Sequence, residues 1–245
     1  MVTTVSRGEK MMDWSRPDGY FTSGEDAFRA IRRGLEAAGI HSPGRALDLP
    51  CGHGRVMRHM RAAWPDARIV ASELMPDGVE FCARTFGAEP VLSREPLWDA
   101  DIGDGYDLIW SGSLLTHFPA DAWEPTLRHF ASALAPGGIL IFTTHGKVPL
   151  AFLCGEPDAV AYLGPWVPAA YGLSDEAVKA ILLSVERCGF GYAAYPGAEK
   201  RGDGLSISLG EWVQDRLTAT GLGLVLAEEG GWGGHQDVCT VSSRG

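Results

Sequence analysis

The stretch Arg45-Ala46-Leu47-Asp48-Leu49-Pro50-Cys51-Gly52-His53-Gly54-Arg55 decides the fold of this chain. A short apolar strand over residues 46–49 carries a carboxylate near its end. A tight turn with glycines at 52 and 54 follows, and residues 55–64 then take up helical spacing. Doubly wound α/β domains build a ligand crevice in this way at the carboxyl end of the first strand. Asp48 narrows the ligand, because a carboxylate here repels a nucleotide diphosphate and attracts a positively charged group.

Outward from this stretch the rhythm of strand and helix continues. Upstream, residues 24–38 read as a helix with Ala27, Phe28, Ile31 and Leu35 on one face, Ser23 as its cap and Gly39 as its end. Residues 1–21, with Trp14, Pro17, Tyr20 and Phe21, read as an irregular arm. Downstream, Pro65 and Asp66 break the first crossover helix. Strands are expected at 68–72, 90–92, 106–110 and 139–143, with helices at 77–86 and 121–134 between them. After His145 the pattern changes to Pro, Gly and aromatics, with one clear helix at 175–188, capped by Ser174 and ended by Gly189. This segment is expected to be an insertion. A helix at 210–219 and a strand at 222–227 resume the core. The turn Gly230-Gly231-Trp232-Gly233-Gly234 then leads to a last strand at 236–241, and so short a link implies an antiparallel hairpin at one sheet edge. The expectation is one domain: arm and helix 1–40, core 41–147, inserted cap 148–208 and core completion 209–245.

The totals agree with a globular enzyme-sized domain: 245 residues, 45% hydrophobic, with no low-complexity run. No apolar run reaches membrane-spanning length and residues 1–10 contain no apolar leader segment. Five scattered cysteines without a C-x-x-C pair suit reduced thiols, so a cytoplasmic setting is expected. A net charge of −10 argues against a nucleic-acid partner. No phosphate-binding G-x-x-x-x-G-K-[ST] motif is present, and Met57 is too bulky for the third small position of a dinucleotide fingerprint.

Four pieces of the chain together resemble the class I S-adenosylmethionine-dependent methyltransferases. These are 47–55 with its glycine turn, Glu73 at the end of the second strand, Tyr106-Asp107-Leu108-Ile109-Trp110-Ser111, and Leu134-Ala135-Pro136-Gly137-Gly138. Gly234-His235-Gln236-Asp237-Val238 fits the family's final antiparallel strand. The resemblance implies a Rossmann-like, mostly parallel seven-stranded sheet with an antiparallel last strand, an inserted cap, and S-adenosylmethionine as cofactor. It places Asp48, Pro50, Cys51, Gly52, Gly54 and Arg55 around the methionyl end of the donor, Glu73 and Leu74 at the ribose, and Ser93 at the adenine. Ser111, Gly112, Ser113 and His117 would line the pocket after the fourth strand. Two positions depart from the family pattern: Pro50 stands where the first glycine is usual, and Ser93 where many members carry an acid. Metal-dependent members place acids after the fourth strand, where this chain has Ser111-Gly112-Ser113, so no metal is expected.

Topology brings His117, His145 and His235 to one rim, since ligands sit outside the carboxyl ends of parallel strands. His145 or His235 is the candidate general base, with Asp237, two residues on from His235, expected on the same strand face to orient it. Tyr20, Tyr162, Trp166, Tyr171 and Trp232 are candidate substrate contacts, suited to a sugar or secondary metabolite. The expected reaction is methyl transfer to a small-molecule hydroxyl. The alternatives are N-methylation of a small amine, or a cofactor-binding scaffold without activity.

Overall fold

The computed structural model describes residues 1–163, 172–198 and 202–243. Its main sheet has seven strands: β1 (Arg45–Asp48), β2 (Arg68–Glu73), β3 (Glu89–Leu92), β4 (Tyr106–Ser111), β5 (Leu134–His145), β8 (Leu222–Trp232) and β9 (Gln236–Ser243). They lie in the order β3-β2-β1-β4-β5-β9-β8, with β9 antiparallel to both of its neighbours. The mostly parallel sheet and its antiparallel last strand are as the sequence implies. Strand order reverses between β1 and β4, so the crevice opens above Asp48.

Helices α1 (Asp18–Ala37), α2 (Met57–Ala63), α3 (Pro76–Phe86), α4 (Ala120–Ala133) and α8 (Gly210–Thr220) accompany the sheet. Leu47, Ile109, Leu140, Trp123 and Phe130 pack in one core layer, and Ala46, Ile69, Leu108, Ile141, Ile31 and Met57 in another. Alternation along β1 explains the division, since Ala46 and Leu47 point to opposite faces. Trp123 meets Phe142, Phe190 and Trp212 edge-on, contacts worth about 0.5–1.5 kcal/mol each beyond area burial.

Three local expectations are corrected. The first helix starts at Asp18 rather than after Ser23, because Tyr20 and Gly24 are buried against the body of the protein. A Cβ at Gly24 would stand 2.2 Å from Arg55 O, so glycine permits α1 to touch the cofactor-type turn. The crossover helix begins at Met57 and runs only seven residues, leaving Arg55 in the turn itself. β8 continues to Trp232 through a register shift between Glu228 and Trp232, so the glycines at 230 and 231 form a bulge, not a turn.

Between β5 and α8 the chain forms α5 (Lys147–Leu153), α6 (Pro157–Leu163), α7 (Asp175–Cys188) and a second sheet of β6 (Phe190–Ala194) and β7 (Gly204–Ser208). Ser174 caps α7 by accepting from Ala177 N–H, as its sequence suggests. The hairpin reaches the rim of the main sheet, where Ser206 Oγ donates to Leu115 O. Among the described residues no helix is long and apolar enough to cross a membrane.

Candidate active site

Two cavities meet over the carboxyl ends of β1, β2 and β4, and both are walled by Pro50 and Glu73. The first, about 520 Å³, runs past Leu74, Ser93, Arg94, Trp98 and Leu114 toward Tyr192 of the hairpin. The second, about 350 Å³, is lined by Asp48, Cys51, Gly52, Arg55, Gly112 and Ser113 on one side. Its other side holds His117, His145, His235, Gln236, Trp232 and Glu9.

Glu73 is fixed before any ligand arrives. Its Oε2 accepts from Gly52 N–H at 3.1 Å and its Oε1 from Leu74 N–H at 2.7 Å. A carboxylate has about four acceptor positions, so two remain for a diol. Ser93 N–H donates to Glu73 O and holds the end of β3 beside it. Gly52 has φ +49, and the place where a Cβ would stand is open space.

Asp48 is 1% exposed and its Oδ2 has no hydrogen-bond partner. Burial, with the negative charge of Glu73 nearby, pushes its pKa up to about 8, while Arg55 opposes the shift. An isolated buried carboxyl facing a cavity is costly unless a donor group arrives. The donor set as a whole (Glu73 for a diol, Asp48 for an ammonium, an open glycine wall between them) fits S-adenosylmethionine. Arg55 lies 5.3 Å over the Trp232 ring, and among the described residues its guanidinium has no hydrogen-bond or ion-pair partner.

The three histidines line one cavity, as the strand order implies. Each directs Nδ1 at a backbone carbonyl: His117 at Gly204 O (3.1 Å), His145 at Ser206 O (3.3 Å) and His235 at Gly233 O (2.9 Å). Tyr195 OH also lies 2.9 Å from His117 Nδ1. Burial lowers all three pKa values, and for His145 the burial, with His117 and His235 close by, brings it to about 3. A carbonyl only accepts, so Nδ1 carries the hydrogen and Nε2 the lone pair in each neutral ring.

The expected pairing of His235 with Asp237 is not made. His235 precedes β9, so strand alternation does not govern it. Asp237 instead accepts from Gly230 N–H and lines a separate cavity with Thr144 and Lys147. Tyr20 is also displaced from the substrate role: it is 3% exposed and donates to Glu9 Oε2 under the arm. Gly54 lies off the cavity, where a Cβ would meet Phe86 Cε2 at 2.3 Å, and Ser111 is buried inside β4. Trp232 does line the cavity, with Nε1–H donating to Ser23 O. Trp166 and Tyr171 lie outside the described residues, as does the side chain of Tyr162.

Glu9, Gln236 and Thr143 were not singled out from the sequence. Gln236 Oε1 accepts from Thr143 Oγ1 at 2.6 Å and its Nε2 donates to Ser113 Oγ at 2.8 Å. Ser113 N–H in turn donates to Thr143 Oγ1, which holds Ser113 at φ +57. This network joins β4, β5 and β9 at the cavity floor. Its sequence signal is position alone: Gln236 stands between His235 and Asp237. Among the described residues no group of three or more His, Cys, Asp and Glu is placed to hold a metal ion.

Comparison with known proteins agrees with this geometry. A trans-aconitate 2-methyltransferase of Methylobacterium radiotolerans is 29% identical over 165 residues, covering 65% of this chain and 59% of that protein. A malonyl-[acyl-carrier protein] O-methyltransferase of Acetivibrio thermocellus is 28% identical over 103 residues, covering 42% and 36%. The chain thus spans between about a third and three fifths of these curated relatives. An S-adenosylmethionine-dependent methyltransferase from Clostridium acetobutylicum shares the fold at TM-score 0.57 and 14% identity, over 92% of both chains. So does a Burkholderia thailandensis 1,6-didemethyltoxoflavin-N1-methyltransferase solved with S-adenosylhomocysteine, at TM-score 0.55 and 15% identity over 100% of this chain and 94% of that one. The family profile described as a methyltransferase domain matches residues 23–171, more than half of the sequence. With this match joined to the seven-stranded sheet and the Asp48–Glu73 crevice, the chain belongs to the class I S-adenosylmethionine-dependent methyltransferases.

Proposed function

We propose that this protein transfers the methyl group of S-adenosylmethionine to a hydroxyl oxygen of a small, uncharged molecule held in the histidine-lined cavity. The observation that carries this reading is that His117, His145 and His235 line one cavity and each turn Nδ1 to a backbone carbonyl, an arrangement that favours Nε2 as the accepting nitrogen and suits an O–H donor. A carboxylate acceptor, as the names of the two curated relatives suggest for those proteins, would instead face lone pairs. Among the described residues lining this cavity, the one side chain expected to be cationic is Arg55, beside the donor turn.

When bound, the cofactor supplies an electrophilic methyl group on a sulfonium. The chain's part is to align the acceptor oxygen with that methyl in a small enclosed space, which is the main source of rate in a displacement. As the new C–O bond forms, the hydroxyl proton becomes strongly acidic. An imidazole as weakly basic as His145 then suffices to take it late in the reaction. The five cysteines are all free thiols, which supports a reducing, cytoplasmic setting.

Tritium-labelled methyl transfer to matched panels of hydroxylated metabolites and carboxylic acids tests the reading. Label is expected in products that survive mild alkali, as ethers do. Label released as methanol would mark esters and overturn the hydroxyl assignment. Replacing His145 and His235 by alanine is expected to lower kcat about 100-fold, with cofactor affinity intact in a dialysis assay. At saturating donor, kcat of the parent should show no acid limb near an ordinary imidazole pKa, because burial keeps these rings neutral there.

A further inference from the structure

We infer that the N-terminal arm is a wall of the donor site, and that Glu9 on the arm and Arg55 on the glycine turn together read the amino-acid end of the donor as a zwitterion. The inference rests on the methyl-donor reading above and adds a residue to it. The arm lies outside residues 23–171, which the family profile matches.

Three observations lead to it. First, Glu9 and Met11 line the same cavity as Asp48, Gly52 and Arg55, although Glu9 and Asp48 stand far apart in the sequence. Glu9 is only 7% exposed. Its carboxylate is held from two sides, by Met11 N–H on Oε1 at 2.9 Å and by Tyr20 OH on Oε2 at 2.9 Å.

Second, the arm is tied to the turn by a buried arginine. Arg58 is 1% exposed and, among the described residues, makes no ion pair. Its Nε donates to Gly54 O at 3.2 Å, its Nη1 to Val2 O at 2.8 Å and Thr4 O at 3.1 Å, and its Nη2 reaches Tyr20 OH at 3.5 Å. The rings of Tyr20, Phe21 and Phe86 each lie 5.3 Å from its guanidinium carbon. A desolvated guanidinium satisfied by carbonyls and rings is an expensive arrangement. Here it fixes the arm to the carbonyl of the second turn glycine, and through Tyr20 it fixes Glu9.

Third, the charges facing the cavity match an α-amino acid. Among the described residues Arg55 has no ion-pair or hydrogen-bond partner, and Glu9 and Asp48 both attract it without reaching it. A carboxylate on Arg55 and an ammonium between Glu9 and Asp48 would satisfy all three groups with charge-assisted hydrogen bonds.

Titration calorimetry with S-adenosylhomocysteine and with 5′-methylthioadenosine separates the amino-acid end from the adenosine end, since only the first ligand carries a zwitterion. Glu9→Gln and Arg55→Gln are each expected to weaken S-adenosylhomocysteine about 10-fold or more and to leave 5′-methylthioadenosine within about twofold. Tyr20→Phe, which removes one hydrogen bond to Glu9, should reproduce part of the Glu9 effect. Unchanged affinity for both ligands in Glu9→Gln would overturn the inference, as would an equal loss for both. Parent protein that binds neither ligand would instead overturn the donor reading on which it rests.

Discussion

Asp48→Asn is expected to make the protein more stable and at the same time unable to hold its donor. The buried Asp48 carboxyl has an Oδ2 without a partner and a pKa pushed up to about 8. An unfolded aspartate titrates near pH 3.9. For an acid whose folded pKa is raised, the stability contribution is full below the unfolded value and is lost as pH rises through the folded one. The ligand-free protein should therefore weaken from about pH 4 toward pH 8 on account of this group. The amide variant should lack that slope and melt roughly 5 °C higher near neutrality. Donor affinity should fall at least about 100-fold, because the amide cannot answer an ammonium charge. In the parent, binding the cation favours ionised Asp48, so donor affinity should rise with pH up to about 8 and release a proton below it. Calorimetry in two buffers of different ionisation enthalpy reads that proton. A variant that binds the donor like the parent would remove Asp48 from the site.

The second large effect separates the two glycines of the turn. Gly54 has φ +77, and a Cβ there would stand 2.3 Å from Phe86 Cε2. Gly54→Ala combines left-handed strain with overpacking, together about 2–5 kcal/mol. A fall in melting temperature of roughly 10 °C follows for a domain of this size. Gly52 also has positive φ, +49, but its Cβ direction is open. Gly52→Ala should therefore cost only about 1–2 kcal/mol of stability while its methyl projects from the cavity wall and weakens donor binding. Thermal melts and donor titrations on both variants should cross over. Gly54→Ala would lose more stability and Gly52→Ala more affinity per unit of stability lost. Equal behaviour of the two variants would contradict the division of roles.

What the sequence disclosed about the site follows from how local each signal is. Asp48, the turn and Glu73 were legible because strand, carboxylate and glycine lie within a few residues of one another, and strand order then placed them. The rim position of the three histidines was legible for the same reason, since His145 ends β5 and His117 and His235 follow the ends of β4 and β8. Glu9 was hidden because its place depends on Arg58 and Tyr20 binding the arm across a turn, which no periodicity records. The hairpin of β6 and β7 was hidden because Phe190-Gly191-Tyr192-Ala193-Ala194 lacks alternation, its partner supplying the order. Asp237 was misplaced because alternation was counted from His235, one residue before the strand begins. The early start of α1 is not legible because Ser23 reads as a helix cap and residues 1–21 as an irregular arm, whereas tertiary packing buries Tyr20 and Gly24 in a helix that begins at Asp18.

A crystal structure with S-adenosylhomocysteine tests the central claim most directly. One molecule per chain is expected, lying across Pro50, with its ribose hydroxyls on Glu73, its ammonium at Asp48 and its sulfur turned toward the cavity of His117, His145 and His235. A crevice that stays empty at saturating ligand, or that takes up a dinucleotide in its place, would contradict the account.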